Sequence, residues 1–307
     1  MKELATIKQK VDSALERFMD EKVNNSTGFV KECMLKNKEF LLRGGKRLRP
    51  ILCIKSYESI CGAIDEYIVK KSIALEMLHV STLIHDDIMD NDDLRRGKPS
   101  MHKMIGIPNA IIQGNILLSL AYSSLADEEM QLLNNTYLKV NYGQMLDMHY
   151  EEQKISEQEY LEMARLKTGE LLGTAAELGV LIAKGTIENR QKLRQYAQNI
   201  AIGFQLHDDL MDLSKDMKKG NTLGSDIMHG KRTLMVVKAL EKGLELPALG
   251  KMDATEAEID ESVKILLDNG IIKYCSDKAE EYINSAKKIV SDEFFLELAD
   301  YMIKRKN

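Results

Sequence analysis

Prolines are scarce in this chain of 307 residues, and their positions constrain its fold more than any other feature. They stand at Pro50, Pro99, Pro108 and Pro247, so residues 109–246 contain none. A proline inside a helix removes a backbone hydrogen bond and clashes with the preceding turn, so long helices are possible where it is absent. Methionine, leucine, lysine, glutamate and alanine dominate, and the alternation typical of strands is largely missing. The sequence therefore predicts an all-α fold.

The helices should end at isolated glycines, and no linker divides the chain. We predict about ten or more helices, with breaks at Gly62, Gly185, Gly220, Gly243 and Gly270. The length alone would allow two domains, but we find no stretch rich in Pro, Gly and Ser and no abrupt change of composition. We therefore predict one domain over residues 1–307.

Composition excludes several classes of function. The formal net charge of −5 argues against a nucleic-acid partner, whose phosphates require a basic surface. We expect no transmembrane segment and no signal sequence, because no apolar run approaches the necessary length and the first residues are amphipathic. The cysteines (Cys33, Cys53, Cys61 and Cys275) are scattered, which indicates neither a disulfide framework nor a zinc site and suits a cytoplasmic protein.

Residues 85–90 read HDDIMD and end a segment with helical periodicity, for which Asp65 is the expected N-cap. Apolar side chains recur every three or four residues and form a stripe for the core: Ile73, Met77, Val80, Ile84 and Ile88. The same periodicity places a histidine, a hydroxyl and two carboxylates together on another face: His79, Thr82, Asp86 and Asp90.

This acidic arrangement costs stability, and the chain uses it twice. Carboxylates four residues apart repel by about 0.2–0.5 kcal/mol, and the C-terminal end of a helix prefers cations. One such motif is also typical of a solvated helix end. However, residues 207–212 read HDDLMD, with Asp208 and Asp212 on one face and Phe204 and Gln205 one turn earlier. Carboxylates without nearby His or Cys ligands, and outside a glycine-punctuated calcium loop, favour Mg²⁺.

Basic residues accompany both acidic motifs. Arg95, Arg96 and Lys98 follow the first motif, Lys218, Lys219 and Lys231 follow the second, and Lys46, Arg47 and Arg49 lie upstream between two glycines and Pro50. Each group alone is typical of a salt-bridged surface loop or an ordinary helix connection. Together with the carboxylates they favour a metal-bridged phosphate, because the metal neutralises part of the charge and guanidinium groups bind the remaining oxygens.

The order of the motifs makes the signal specific. The chain carries GGKRLRP (residues 44–50), the first acidic motif, LRRGKP (94–99), GQMLD (143–147), KTG (167–169), FQLHDDLMD (204–212) and GKRTL (230–234). This set resembles the trans-isoprenyl diphosphate synthases, the family of the farnesyl, geranylgeranyl and polyprenyl diphosphate synthases. The ordered match runs from about residue 40 to residue 235, and the chain length and helical remainder also fit.

The resemblance implies a large helical bundle around a deep central cavity, usually in a homodimer. It implies that isopentenyl diphosphate is joined head-to-tail to an allylic diphosphate, with three Mg²⁺ ions when substrate is bound. By resemblance, the metal ligands are Asp86, Asp87 and Asp90 on one wall of the cavity and Asp208, Asp209 and Asp212 on the facing wall. The isopentenyl diphosphate ligands are Lys46, Arg49, His79 and Arg96. The residues that match the family's positions around the allylic diphosphate and the nascent cation are Arg95, Lys167, Thr168, Gln205 and Lys231. Among these, Asp86, Asp87, Asp90, Arg95, Lys167 and Asp208 are the expected catalytic residues.

The resemblance also bears on product length. Ser81 and Thr82 lie about one turn before Asp86, where relatives stop elongation with aromatic side chains and small residues let it continue. The first motif lacks the two-residue insertion typical of bacterial farnesyl-type enzymes. We therefore expect a product of twenty carbons or more, with a fifteen-carbon farnesyl diphosphate synthase as the alternative.

Two rival functions share this fold. A terpene cyclase would not need the second cradle of basic residues. A non-catalytic subunit of a heteromeric synthase typically loses acidic residues, whereas all six are present here.

Several positions depart from the family pattern or stay open. Asn221 stands where many relatives carry lysine, and Met235 replaces a common proline. Phe204 is either a π donor to the cation or a core side chain. We interpret His85 and His207 as packing groups, since each lies about 100° round the helix from the aspartate that follows it. His79 is the histidine that we expect in the site.

Overall fold

The computed structural model describes residues 2–213 and 223–303, and these are helical almost throughout. The all-α prediction is therefore confirmed. The helices are α1 (Lys2–Asn24), α2 (Gly28–Leu41), α3 (Leu48–Cys61), α4 (Glu66–Met89), α5 (Met101–Ile105), α6 (Ile107–Ser123), α7 (Asp127–Tyr150), α8 (Glu157–Ala164), α9 (Glu170–Ile182), α10 (Ile187–Asp212), α11 (Ser225–Met228), α12 (Leu234–Glu241), α13 (Glu256–Asp268), α14 (Ile271–Lys287) and α15 (Glu293–Ile303). Strands β1 (Leu94–Arg95) and β2 (Lys98–Pro99) form a hairpin, and Arg165–Gly169 is a π-helical turn.

The chain divides into two compact units, Met1–Tyr137 with Thr174–Gln191, and Leu138–Gly173 with Lys192–Asn307. The boundaries fall inside α7, α9 and α10, which explains why no linker is visible in the sequence. The single domain over residues 1–307 stays a prediction. Within the described part of the chain, no helix has both the length and the apolar character needed to cross a membrane.

Helix α4 is the centre of the first unit, where it packs on α1, α3, α5 and α6. The predicted stripe is confirmed, because Ile73, Met77, Val80 and Ile84 are buried and Ile88 is partly buried. These side chains hold the acidic end of the helix in place by removing apolar surface from water.

The start of α4 and the end of the helix before it form as the sequence predicted. Asp65 is the N-cap and accepts a hydrogen bond from the backbone N–H of Ile68 at 2.9 Å. The preceding helix α3 ends at Gly62 in the left-handed conformation (φ +79°), which a glycine adopts without steric cost. Of the other predicted breaks, Gly185, Gly243 and Gly270 lie between helices, and Gly220 lies outside the described residues.

The segment LRRGKP forms a tight hairpin, which the sequence did not predict. Leu94 pairs with Pro99 and Arg95 with Lys98, in antiparallel register. Arg96 and Gly97 make the turn, and both have positive φ (+56° and +71°), as two-residue hairpin loops require. The hairpin fixes the directions of Arg95 and Arg96.

In the second unit, α12 packs on α8 and α14, and α14 packs on α13 and α15. Its core includes Ile202 and Leu206 of α10 and Val236 of α12. Met235 is 2% exposed and belongs to this core. The methionine that replaces the family's common proline is therefore a buried apolar side chain. This core supports the C-terminal half of α10, which carries the second acidic motif.

Candidate active site

The first acidic motif lies at the C-terminal end of α4, and its three aspartates differ in exposure. Asp86 and Asp90 are half-buried, whereas Asp87 is completely buried. Arg95 donates from Nε to Asp87 Oδ1 at 2.7 Å, and its Nη2 donates to the same oxygen. Burial raises the pKa of Asp87, although the Arg95 guanidinium opposes this effect. The middle aspartate therefore holds Arg95, while the outer two remain accessible.

Three of the four predicted isopentenyl diphosphate ligands influence one another electrostatically. Burial and the charges of Arg49 and Arg96 hold the pKa of His79 well below its usual range, so the imidazole is neutral at pH 7. Burial lowers the pKa of Arg49 to about 10, and its Nε donates to no atom of the described residues. Lys46 and Arg96 are exposed. A cluster of cations with a buried, unused donor is a suitable anion site.

The residues predicted for chain length lie on the same helix. Ser81 is completely buried, and its hydroxyl has no hydrogen-bond partner among the described residues. Thr82 is half-buried and donates from Oγ1 to the carbonyl oxygen of His79 at 2.8 Å. Both side chains are small.

The second acidic motif repeats the pattern of the first. Asp209 is 6% exposed, whereas Asp208 and Asp212 are half-buried. Asp209 accepts hydrogen bonds from Tyr160 Oη and from Gln205 Nε2, both at 2.8 Å. Burial, together with the carboxylates of Asp226 and Asp208, raises the pKa of Asp209 to about 8.

A hydrogen-bond chain links this aspartate to the π-helical turn. Thr168 donates from Oγ1 to Gln205 Oε1 at 3.0 Å, and Gln205 in turn donates to Asp209. The structure thus brings together three residues that the sequence singled out in separate motifs. Phe204 is half-buried on the same helix.

Lys167 and Lys231 converge on one carboxylate of α7. Lys167 Nζ donates to Asp147 Oδ2, and Lys231 Nζ lies 3.6 Å from the same oxygen and 2.6 Å from Glu151 Oε1. Asp147 is 8% exposed, and the two ammonium groups lower its pKa although burial alone would raise it. Asp147 therefore aligns two cations that the sequence predicted for the allylic diphosphate.

Two contacts hold the π-helical turn that carries Lys167 and Thr168. Gly143 of α7 packs so closely that a Cβ there would lie 2.4 Å from the backbone nitrogen of Lys167. Glu170, which is 1% exposed, accepts hydrogen bonds from Arg165, Arg194 and Gln198. It also pairs with Lys139 at 3.3 Å. Single π-helical turns are frequent at functional sites.

Sequence reasoning missed several of these groups. Asp226 donates its backbone N–H to Asp212 Oδ2 at 3.0 Å and adds a carboxylate near Asp209, but nothing in its local sequence indicated this. Tyr160 lies 49 positions from Asp209, so no spacing rule links them. Gln144 was visible in the GQMLD motif; it is buried, and neither polar atom of its side-chain amide has a partner among the described residues. Lys218, Lys219 and Asn221 lie outside the described residues.

The acidic residues fit a divalent cation held jointly with phosphate. Within residues 2–213 and 223–303, no three Asp, Glu, His or Cys side chains form a metal site by themselves. Mg²⁺ commonly uses one or two carboxylates and completes its shell with water and substrate phosphates. Asp87 Oδ2 is buried without a hydrogen-bond partner, and burial together with the carboxylates of Asp226 and Asp208 raises the pKa of Asp209. A hard cation near each motif would stabilise these carboxylates.

Comparison with known proteins shows the family to which the chain belongs. The family model described as Polyprenyl synthetase matches residues 31–266. Geranylgeranyl pyrophosphate synthase of Geoglobus acetivorans is 39% identical over 285 residues, covering 87% of this chain and 89% of the relative. Geranylgeranyl diphosphate synthase of Methanosarcina mazei is 39% identical over 280 residues, covering 85% of this chain and 86% of the relative.

A solved structure gives the same result for the fold. The geranylgeranyl pyrophosphate synthetase of Geoglobus acetivorans superimposes with a TM-score of 0.89 and 35% identity, covering 98% of this chain and 99% of that one. The chain therefore belongs to the polyprenyl synthetase family and is a trans-prenyltransferase.

Proposed function

We propose that this protein condenses isopentenyl diphosphate with an allylic diphosphate and releases all-trans geranylgeranyl diphosphate, a product of twenty carbons. The observation that carries the product length is Ser81, a small and completely buried residue five positions before Asp86 on α4. Two relatives at 39% identity are named geranylgeranyl diphosphate or pyrophosphate synthases, which supports the same length.

The diphosphate of the allylic substrate is the leaving group, and three cations of this chain receive it. Arg95, Lys167 and Lys231 donate to its oxygens as the allylic carbon–oxygen bond breaks and the bonding pair moves to oxygen. Donors that are already oriented stabilise this developing charge without reorganisation. Asp87 orients Arg95, and Asp147 orients both lysines.

The second substrate is held by another set of residues. Lys46, Arg49, His79 and Arg96 bind the isopentenyl diphosphate, whose double bond attacks the allylic cation and forms the new carbon–carbon bond. The resulting tertiary cation loses a proton to the released diphosphate. Because its pKa is low, His79 is a neutral hydrogen-bond donor that adds no further positive charge to the cluster.

We propose Asp86, Asp90, Asp208 and Asp212 as direct ligands of Mg²⁺, with Asp87 and Asp209 behind them. The outer pair of each motif is half-buried, whereas the middle aspartate is buried. When bound, the ions neutralise diphosphate charge and make diphosphate a better leaving group. Three ions with substrate bound is the number that we expect.

We also propose a cytoplasmic homodimer. Ile107, Ile111 and Ile112 on α6 are 43–55% exposed, and such apolar surface favours association. The described cysteines are free, which suits a reducing compartment. Sedimentation equilibrium should give twice the chain mass, and Ile112→Glu should shift it toward the monomer; a monomeric wild-type protein would refute the dimer.

The decisive experiment incubates purified protein with Mg²⁺, labelled isopentenyl diphosphate and, in separate reactions, allylic diphosphates of five, ten and fifteen carbons. We expect a butanol-extractable product of twenty carbons and none after addition of EDTA. Asp86→Ala should abolish turnover with little change in thermal unfolding, because the side chain is half-buried. No product from any starter would refute the synthase, and a product that stops at fifteen carbons would favour the farnesyl alternative.

A further inference from the structure

Arg47 lies in the middle of the GGKRLRP segment, between two predicted isopentenyl diphosphate ligands, yet it points away from solvent. Its side chain is completely buried, whereas Lys46 is exposed. A basic segment of this kind would ordinarily present all of its cations to an anion. Arg47 is therefore used for something other than direct binding.

Each of the three nitrogens of the Arg47 guanidinium donates a hydrogen bond to a protein acceptor. Nε donates to Asp12 Oδ1 of α1 at 2.8 Å, Nη1 to Glu76 Oε1 of α4 at 2.5 Å, and Nη2 to the carbonyl oxygen of Leu41 at 2.9 Å. Glu76 is itself 2% exposed. The three acceptors come from two helices and the end of a third, so they fix the guanidinium in space.

The backbone of Arg47 is in the left-handed conformation, with φ +52° and ψ +32°. A residue with a Cβ is strained in this conformation, which persists only where the surroundings impose it. Here the buried ion pairs impose it immediately before α3 begins at Leu48. The conformation sets the directions of Lys46 on one side and Arg49 on the other.

Glu76 also acts on the rest of the cluster. Burial lowers the pKa of Arg49 and of Arg96. The negative charge of Glu76 opposes this lowering more than any other charge does. Arg96 in turn rests on the glycine loop, where its Nη1 donates to the carbonyl oxygen of Gly44. One buried carboxylate, three residues before His79 on α4, thus acts on Arg47, Arg49 and Arg96.

We propose that Arg47 and Glu76 are positioning residues, which hold Lys46, Arg49 and Arg96 in the geometry that binds isopentenyl diphosphate. The inference rests on the proposed function, because it concerns the substrate assigned there to this cluster. Neither residue touches the substrate.

The test replaces both members of the pair, as Arg47→Met with Glu76→Leu. A single replacement would leave one buried charge without its partner and destabilise the fold, whereas apolar replacement of a buried pair is often neutral. The double variant also leaves the net charge unchanged, and Asp12 keeps Lys8 at 2.6 Å. The matched control is Lys71→Met with Glu129→Gln, a second largely buried pair (2.9 Å) that begins eight residues before His79 on α4. At a rise of about 1.5 Å per residue, that pair is about 12 Å along the helix from the cluster.

Isothermal titration calorimetry with isopentenyl diphosphate and steady-state kinetics provide the readouts. In the double variant we expect the Kd and the KM for isopentenyl diphosphate to rise about tenfold or more, by misplacement of the cradle, while the KM for the allylic diphosphate changes less than twofold. Arg47→Lys, which keeps the charge but not the planar fork, should fall between wild type and the double variant. The control variant should match wild type.

A folded double variant whose KM and Kd for isopentenyl diphosphate stay within twofold of wild type would overturn the proposal. An equal loss in the control variant would also overturn it, because the effect would then be general to buried pairs. A wild-type protein that neither binds isopentenyl diphosphate nor turns it over would instead refute the proposed function itself.

Discussion

Gly143→Ala should damage catalysis through a single methyl group. The new Cβ would lie 2.4 Å from the backbone nitrogen of Lys167, which is 1.0 Å less than the 3.4 Å at which ordinary contacts begin. The atom that it meets is backbone and not the end of a flexible side chain, so the π-helical turn must move. A displacement of about 1 Å in a positioning element can cost about 100-fold in rate, or about 2.7 kcal/mol of transition-state stabilisation.

The matched control is Gly169→Ala, in the same turn. Its Cβ would meet nothing closer than 3.6 Å, so the methyl group fits without displacement. Steady-state kcat at saturating substrates, measured well below the unfolding temperature, should fall about 100-fold for Gly143→Ala and stay near the wild-type value for Gly169→Ala. If folded Gly143→Ala keeps a kcat within threefold of wild type, or if both variants lose equally, the close approach does not position Lys167 and Thr168.

The remaining predictions concern single side chains. Ser81→Phe places a ring at a completely buried position, so chromatography of the dephosphorylated products should show chains shorter than twenty carbons; an unchanged product would contradict the assignment. Asp209 has a pKa raised to about 8, so the metal-free folded protein holds a proton that the unfolded chain releases above about pH 4. Its free energy of unfolding should therefore fall between pH 4 and pH 8. Asp209→Asn should flatten that fall in urea titrations with EDTA, and equal slopes in both proteins would count against the buried carboxyl. Glu170→Gln weakens hydrogen bonds to Arg165 and Arg194 and should lower the free energy of unfolding by about 2 kcal/mol, discounted because the cations are partly exposed. Urea unfolding with no measurable loss would show that these pairs are replaced by water.

Local patterns in the sequence were sufficient for the fold class and for the chemical type of the site. The proline-free stretch predicted long helices, and the apolar periodicity of α4 predicted a buried stripe. Both predictions depend only on neighbours along the chain, and both are confirmed. Asp65 as N-cap and Gly62 as a helix end are equally local, since a cap contacts residues within one turn. The ordered motifs identified the family, because they specify which residue types occur and in what order.

Helical spacing could not decide which aspartate of each motif is covered by protein. Periodicity assigns Asp86 and Asp90 to one face, but it does not say what packs against the other faces. Tertiary contacts bury Asp87 against Arg95, and they bury Asp209 against Tyr160 and Gln205. The sequence treats the three carboxylates of a motif alike, whereas the fold gives the middle one a separate task.

The same limit separates residues that look equivalent in the sequence. Arg47 and Arg49 are two arginines of one basic segment, and Gly143 and Gly169 are two glycines of family motifs. Only the tertiary structure turns Arg47 onto Asp12 and Glu76, and only it brings α7 against the backbone of Lys167. The sequence by itself determined the helices and the carboxylates, cations and hydroxyls available for the reaction. The roles of those groups depend on burial and on contacts between distant residues, which form only when the helices pack.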